Sequence, residues 1–171
     1  MPADGLVLGY LGSVGRMYML DRFFHLFKLA VNIHKDCHAL LITRDTSALK
    51  KLMNSYLTAE LFSRVHIQSA SRDEVPIFLP AMDVMVSFIS PTYARMGASP
   101  TKMAECFASG IPVIANSGVG DVEQIVKHLD GGWMIDHFSE DELMETVSNL
   151  DIIRTKGGRR LRDVSRPKLG L

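Results

Sequence analysis

The chain has 171 residues, 47% of them hydrophobic, enough for one well-buried core and a single α/β domain over 1–171. Lys plus Arg number 19 and Asp plus Glu number 19, so the formal net charge is zero; no overall field draws nucleic acid, and any anion site must be local. Cys37 and Cys106 form no close pair, which fits a reducing compartment, and no apolar run nears the roughly 20 residues of a membrane span. Met1 to Gly5 does not read as a signal peptide, so a soluble cytoplasmic protein, or a soluble piece of one, is expected.

Leu6 to Leu11 is an apolar run that predicts a buried parallel strand, and Gly12-Ser13-Val14-Gly15-Arg16 follows as a glycine-rich turn. Leu20, Phe23, Phe24, Phe27, Ala30 and Val31 recur at helical spacing and predict an amphipathic helix over 20–32. Ala39 to Thr43 reads as the second strand, with Leu49, Leu52, Met53 and Tyr56 as the inner stripe of the helix after it. Val65 to Gln68 reads as the third, and Ser71 with Glu74 forms a capping box ahead of Val75, Phe78 and Leu79. Val84 to Ile89 is the fourth, and a long loop from Ser90 to Ala98 leads into a helix that begins at Ser99 and Pro100. Pro112 to Ala115 is a fifth strand. Asp121 is placed to cap a helix carrying Ile125, Val126 and Leu129, and Gly131-Gly132 turns into a sixth strand at Trp133 to Ile135. Ser139 and Glu142 make a second capping box before Leu143, Val147 and Leu150.

Six short strands alternating with helices predict an α/β fold: a Rossmann-like, doubly wound, parallel six-stranded sheet with helices on both faces. Ligands of such sheets sit at the carboxyl ends of the strands, where strand order reverses. The Gly12 turn and the Ser99 helix both start at such ends, so the fold should bring them to one crevice.

The Ser99 helix carries the clearest chemistry. Ser99 is a good N-cap, Pro100 suits the first helical position, Gly110 falls where a left-handed residue ends a helix, and Pro112 forbids continuation. The N–H groups of Thr101 and Lys102 are then unpaired donors at the positive end of the helix dipole, and Lys102 adds a full charge, so phosphate is the natural guest. Glu105 lies on the same face one turn deeper. It would repel a phosphate that it touched, but it can accept hydrogen bonds from hydroxyls about one sugar unit away; a surface carboxylate on a helix flank is the plainer alternative. Phosphate at the mouth and a polyol beside it describe a nucleotide. Gly9, Gly12 and Gly15 depart from the Gly-x-Gly-x-x-Gly dinucleotide fingerprint, and a tight turn without a ligand accounts for them equally well.

Ser99-Pro100-Thr101-Lys102, then Glu105, then Gly110-Ile111-Pro112-Val113-Ile114, then Gly118-Val119-Gly120-Asp121 is similar to the donor-binding signature of GT-B glycosyltransferases, retaining enzymes of the family-four type. The resemblance runs from Gly9 to the Arg-rich end. It implies one half of a GT-B fold, the C-terminal nucleotide-sugar-binding domain of a two-domain hexosyltransferase, with the N-terminal acceptor domain as a missing partner. It also implies a nucleoside-diphosphate sugar as substrate, no metal and no other cofactor. By the same resemblance Gly12, Ser13, Arg16, Ser99, Thr101 and Lys102 hold the diphosphate, Glu105 the ribose, Gly97 and Ala98 the donor sugar, and Ser69 and Ala70 the base. Two departures stand out. Ser13 occupies the place of an arginine found in many relatives, and Gly97 that of the first glutamate of the Glu-x7-Glu signature, so backbone groups of 97–99 would face the sugar instead. A non-hydrolysing nucleotide-sugar epimerase shares the two-domain architecture, and a Rossmann-like module using a nicotinamide cofactor or none is a third reading.

From Arg154 onward Lys156, Arg159, Arg160, Arg162, Arg166 and Lys168 face a single acid, Asp163. A solvated last helix or a frayed end is the plain expectation. In the resembling enzymes this region enters a helix that crosses back to the other domain, and a positive face there suits anionic lipid, a membrane-surface acceptor and a place at the inner face of the membrane. His34, Cys37 and His38 lack a fourth partner and the usual zinc spacing, and no Gly-x-Ser-x-Gly elbow occurs. The chain alone is expected to bind nucleotide weakly and to transfer nothing.

Overall fold

Strand β1 (Val7–Leu11) keeps no solvated face: Leu8 and Tyr10 enter one apolar layer, Val7 and Leu11 the other. Strand β2 (His38–Ile42) divides the same way, Ala39 and Leu41 against Leu40 and Ile42. Such strands must be covered on both sides, which the crossovers of a parallel sheet accomplish. A computed structural model describes residues 5–91 and 101–169, with side chains as far as Arg166 in the last helix. With β3 (Val65–Gln68), β4 (Val84–Ser87), β5 (Val113–Asn116) and β6 (Gly132–Ile135) the sheet has the order β3-β2-β1-β4-β5-β6, parallel throughout. This is the expected doubly wound sheet, with the reversal between β1 and β4.

One face is covered by α1 (Leu20–Ile33), α2 (Thr46–Tyr56), α7 (Glu140–Ser148) and α8 (Leu150–Thr155), through Phe23, Phe24, Phe27, Leu49, Met53, Leu143, Val147 and Ile153. The other is covered by α4 (Val75–Phe78), α5 (Thr101–Ala108), α6 (Val122–Leu129) and α9 (Arg159–Leu169), through Val75, Met103, Phe107, Val126, Leu129 and Leu161. Burying one such side chain contributes about 1.5–3 kcal/mol, so these two layers, more than helix propensity, hold the short helices in place.

Several local expectations differ. Pairing of the fourth strand stops at Ser87, and Ile89 instead bridges antiparallel to Tyr18. The sixth strand starts at Gly132 instead of Trp133. The turn α3 (Ala59–Phe62), capped by Thr58 Oγ1 accepting from Leu61 N–H at 3.4 Å, is too short for any periodicity to announce it. Asp121 makes no side-chain cap bond to α6. The second capping box forms by half: Ser139 Oγ accepts from the Glu142 N–H at 3.3 Å, but the Glu142 carboxylate gathers the N–H groups of Asp136, His137 and Phe138 at 2.6, 2.9 and 2.8 Å. In the first, the Glu74 carboxylate takes the Ser71 N–H at 2.8 Å and hydroxyl at 2.7 Å, and these two bonds, the N–H foremost, hold its pKa below the usual range.

Helix α5 ends as expected. Ile111 N–H returns to Cys106 O and Gly110 N–H to Phe107 O, both at 2.9 Å, a Schellman closure with Gly110 at φ 79°. The basic run forms the solvated last helix, exposed at Arg159, Arg160, Arg162 and Arg166. Gly158 N–H donates to Gly110 O at 2.7 Å, where α9 starts across α5. Arg154 pairs with Asp83 at 3.7 Å and Lys156 with Asp130 at 2.7 Å. Arg160 donates to Leu129 O and Asp130 O at 3.2 and 2.8 Å, closing the end of α6.

Gly110→Ala would place a Cβ 2.6 Å from Gly158 O on a left-handed backbone. It is expected to cost roughly 2 kcal/mol or more, read as a lower urea midpoint. At the edge of the sheet His38 Nδ1 lies 3.1 Å from His66 Nε2. Burial lowers both pKa values, followed by the charge of Arg64 for His38 and of His38 for His66. Unfolded histidines titrate near 6.5, so below that value the unfolded chain binds more protons and stability falls as pH drops. Melting at about pH 5.5 is expected below that at about pH 7.5, and His66→Gln should narrow the gap in calorimetry.

Candidate functional site

Because the strands run parallel, the turns after β1, β2 and β3 leave the sheet at one edge, beside the start of α5. A cleft of about 460 Å³ lies there, lined by Leu11, Gly12 and Ser13 at the end of β1 and by Ile42, Thr43, Arg44 and Asp45 at the end of β2. Ala70, Arg72 and Val75 beyond β3 and Thr101, Lys102 and Glu105 on α5 complete the described walls.

The glycine turn is braced from below. Gly12 N–H donates to Ile42 O at 3.1 Å, so the sheet ladder takes an amide that the sequence reading assigned to phosphate. What Gly12 provides is room: a Cβ there would stand 2.5 Å from the Tyr10 hydroxyl. That hydroxyl donates to Ser13 O at 2.7 Å, and burial, then the charges of Tyr18 and Asp45, raise its pKa so that it stays a neutral donor. Among the described residues no acceptor takes the Ser13 N–H. The Val14 N–H donates to Asp45 Oδ2 at 2.9 Å. Asp45 stands at the N-cap of α2 yet makes no cap bond; its carboxylate crosses to the turn, while its own N–H donates to the Thr43 hydroxyl at 3.1 Å.

The other wall is charged. Lys102 Nζ donates to the Tyr18 hydroxyl at 3.0 Å, and Arg72 Nη2 lies 4.0 Å from Glu105 Oε1 across the cleft. Behind it Asn116, 2% exposed, clasps the Ile89 peptide: its Oδ1 accepts from Ile89 N–H at 2.8 Å and its Nδ2 donates to Ile89 O at 2.9 Å.

Of the residues singled out in the sequence, Gly12, Ser13, Ala70, Thr101, Lys102 and Glu105 meet in this cleft. Arg16 and Ser69 are exposed and are not among its lining residues, and Gly97, Ala98 and Ser99 lie outside the described residues. Thr43, Arg44, Asp45, Arg72 and Val75 were missed. Their signal was positional: in a parallel sheet the turns after the second and third strands reach the same edge as the first. His34, Cys37 and His38 do not converge. His34 Nε2 contacts Val147 O at 3.1 Å, Cys37 is buried with its thiol pushed up to about 12, and His38 pairs with His66. Among the described residues no group of three or more His, Cys, Asp or Glu could hold a metal ion, and no helix is long and apolar enough to cross a membrane.

The family model described as glycosyl transferases group 1 matches residues 6–150. The chain belongs to the group 1 glycosyl transferases. Its fold is similar to the C-terminal domain of a glycosyl transferase group 1 family protein (LpcC) from Francisella tularensis, with TM-score 0.73 and 20% identity over 96% of this chain and 86% of that one. It is similar also to WaaG, a glycosyltransferase involved in lipopolysaccharide biosynthesis (0.72, 18%, 96% and 43%). Anabaena Alr3699/HepE in complex with UDP and glucose is a third (0.73, 16%, 96% and 44%). The chain spans less than half the length of the last two. No curated protein matches the sequence.

Asn116→Ala would leave the Ile89 N–H and C=O without their partner in a buried setting, and a loss of about 2–4 kcal/mol is expected. The measurement is urea unfolding with the slope unchanged and the midpoint lowered.

Proposed function

We propose that the cleft binds the nucleoside diphosphate of a sugar donor, and that the chain is the donor-binding half of a retaining, metal-independent GT-B hexosyltransferase. The observation that carries this reading is the meeting of a glycine turn, the first residues of α5 with Lys102, and Glu105 one turn deeper in one cleft at the carboxyl edge of the sheet. The diphosphate lies against the Ser13 N–H, the exposed amides of α5 and the Lys102 ammonium, with Arg44 and Arg72 adding positive charge at the rim. Glu105 accepts from the ribose hydroxyls, and Ala70 borders the base. Gly97 and Ala98 are assigned to the sugar through their backbone groups, and Ser99 to the diphosphate, by resemblance to the family.

As the bond from the sugar to the diphosphate breaks, negative charge builds on the departing oxygen, and donors already aimed at that point stabilise it without reorganising. The acceptor and the opposite wall come from the N-terminal domain of such an enzyme, so this half alone binds and does not turn over. A cytoplasmic location goes with this reading. Arg154, Lys156 and Arg160 pair with Asp83, Asp130 and the end of α6, and contact of the exposed basic residues with an anionic membrane surface belongs to the same reading.

UDP is the first probe, because HepE, similar in fold, is seen in complex with it. UDP, GDP or ADP should raise the melting temperature and NAD should not. Glu105→Ala is expected to weaken nucleoside diphosphate binding roughly tenfold while leaving inorganic pyrophosphate binding unchanged, measured by titration calorimetry. An equal loss for both ligands would remove the ribose role.

A further inference from the structure

The Lys102 ammonium does not hang free in the cleft. Besides donating to the Tyr18 hydroxyl at 3.0 Å, it stands 4.9 Å from the centre of the Tyr18 ring. Tyr18 belongs to another element, closing the loop that begins at Gly12, and its backbone is held on both sides. Its N–H donates to Gly15 O at 3.1 Å, and it bridges Ile89, flanked by Met19 N–H to Phe88 O at 3.0 Å and Ser90 N–H to Met17 O at 2.9 Å. Its ring stands edge-on to Tyr10, centroids 5.9 Å apart, and Tyr10 holds the Ser13 carbonyl. One tyrosine thus ties the cation on α5 to the glycine turn after β1, the two walls between which a diphosphate must fit.

We propose that Tyr18 is a positioning residue that aims the Lys102 ammonium at the diphosphate, an inference that rests on the donor-binding reading of the cleft. An ammonium has three donors. The Tyr18 oxygen takes one and leaves two for phosphate oxygens, so the lysine reaches its ligand without leaving the tyrosine. The ring face favours the cation as well. Lysine is otherwise a flexible four-carbon stem whose ordering costs binding free energy, and holding it beforehand removes that cost.

Tyr18→Phe, Lys102→Met and the double variant, each in the 171-residue chain, are titrated calorimetrically with UDP, GDP and ADP and with the matching nucleosides. Tyr18→Phe keeps the ring against Tyr10. It is expected to weaken diphosphate binding roughly three- to tenfold, to leave nucleoside binding unchanged, and to cost nothing further in the Lys102→Met background. An equal loss in both backgrounds, an equal loss for the nucleosides, or tighter diphosphate binding, the sign of a lysine parked instead of aimed, overturns the proposal. Binding that Lys102→Met weakens and Tyr18→Phe does not removes the role of Tyr18 alone. Failure of the unaltered chain to bind any of the three diphosphates removes the donor-binding reading and this inference with it.

Discussion

A parallel sheet buried on both faces can present polar chemistry only at its ends, because each strand gives both sets of alternating side chains to the core. Here Leu8 and Tyr10 are taken by one layer and Val7 and Leu11 by the other, and the central strands repeat the division. What remains is the edge where the strands finish. There the turns after three strands and the start of α5 come together, and the reversal of order between β1 and β4 keeps that edge open. The cleft is a consequence of how the apolar layers are satisfied.

The polar groups at this edge divide into those already spent and those left for a ligand. Gly12 N–H belongs to the sheet, Val14 N–H to Asp45, and Ser13 O to the Tyr10 hydroxyl. Each of these bonds fixes the turn and withdraws a group from binding. The loop bearing Tyr18 and the segment after β4 are fastened to each other by backbone bonds, and Asn116 holds the second of them from behind. Groups supported in this way are oriented before any ligand arrives, so that binding need not order them.

The far end of α5 is held with comparable care. Its Schellman closure brings Gly110 against the Gly157-Gly158 turn, Leu161 of α9 is fully buried, and Arg162 donates to Ser109 O at 3.4 Å. Arg162 thus ties the last helix to the end of α5, while Arg160 closes the end of α6. Asp83 pairs with Arg154 and Asp130 with Lys156 and Arg160, while Arg159 meets Asp163 in its own helix.

Strand and helix alternation, Ser139 as the start of α7, the glycine stop of α5 and the placing of Gly12, Ser13, Thr101, Lys102 and Glu105 at one edge were legible from the sequence, because local periodicity, cap chemistry and the rules of parallel sheets are short-range or general. The exits of β2 and β3 were less legible. Thr43, Arg44, Asp45 and Arg72 carry no motif, and only the assembled sheet brings them to the same opening. Hydrogen-bond partners were decided by tertiary structure as well. Asp45 reaches the glycine turn where sequence position suggests a helix cap, Glu142 gathers three amides ahead of its own helix, and Gly12 gives space in place of a donor. The physical reason is range: a periodicity is written within one turn or strand, whereas a bond between residues tens of positions apart depends on which crossovers place them within three ångströms or so of each other.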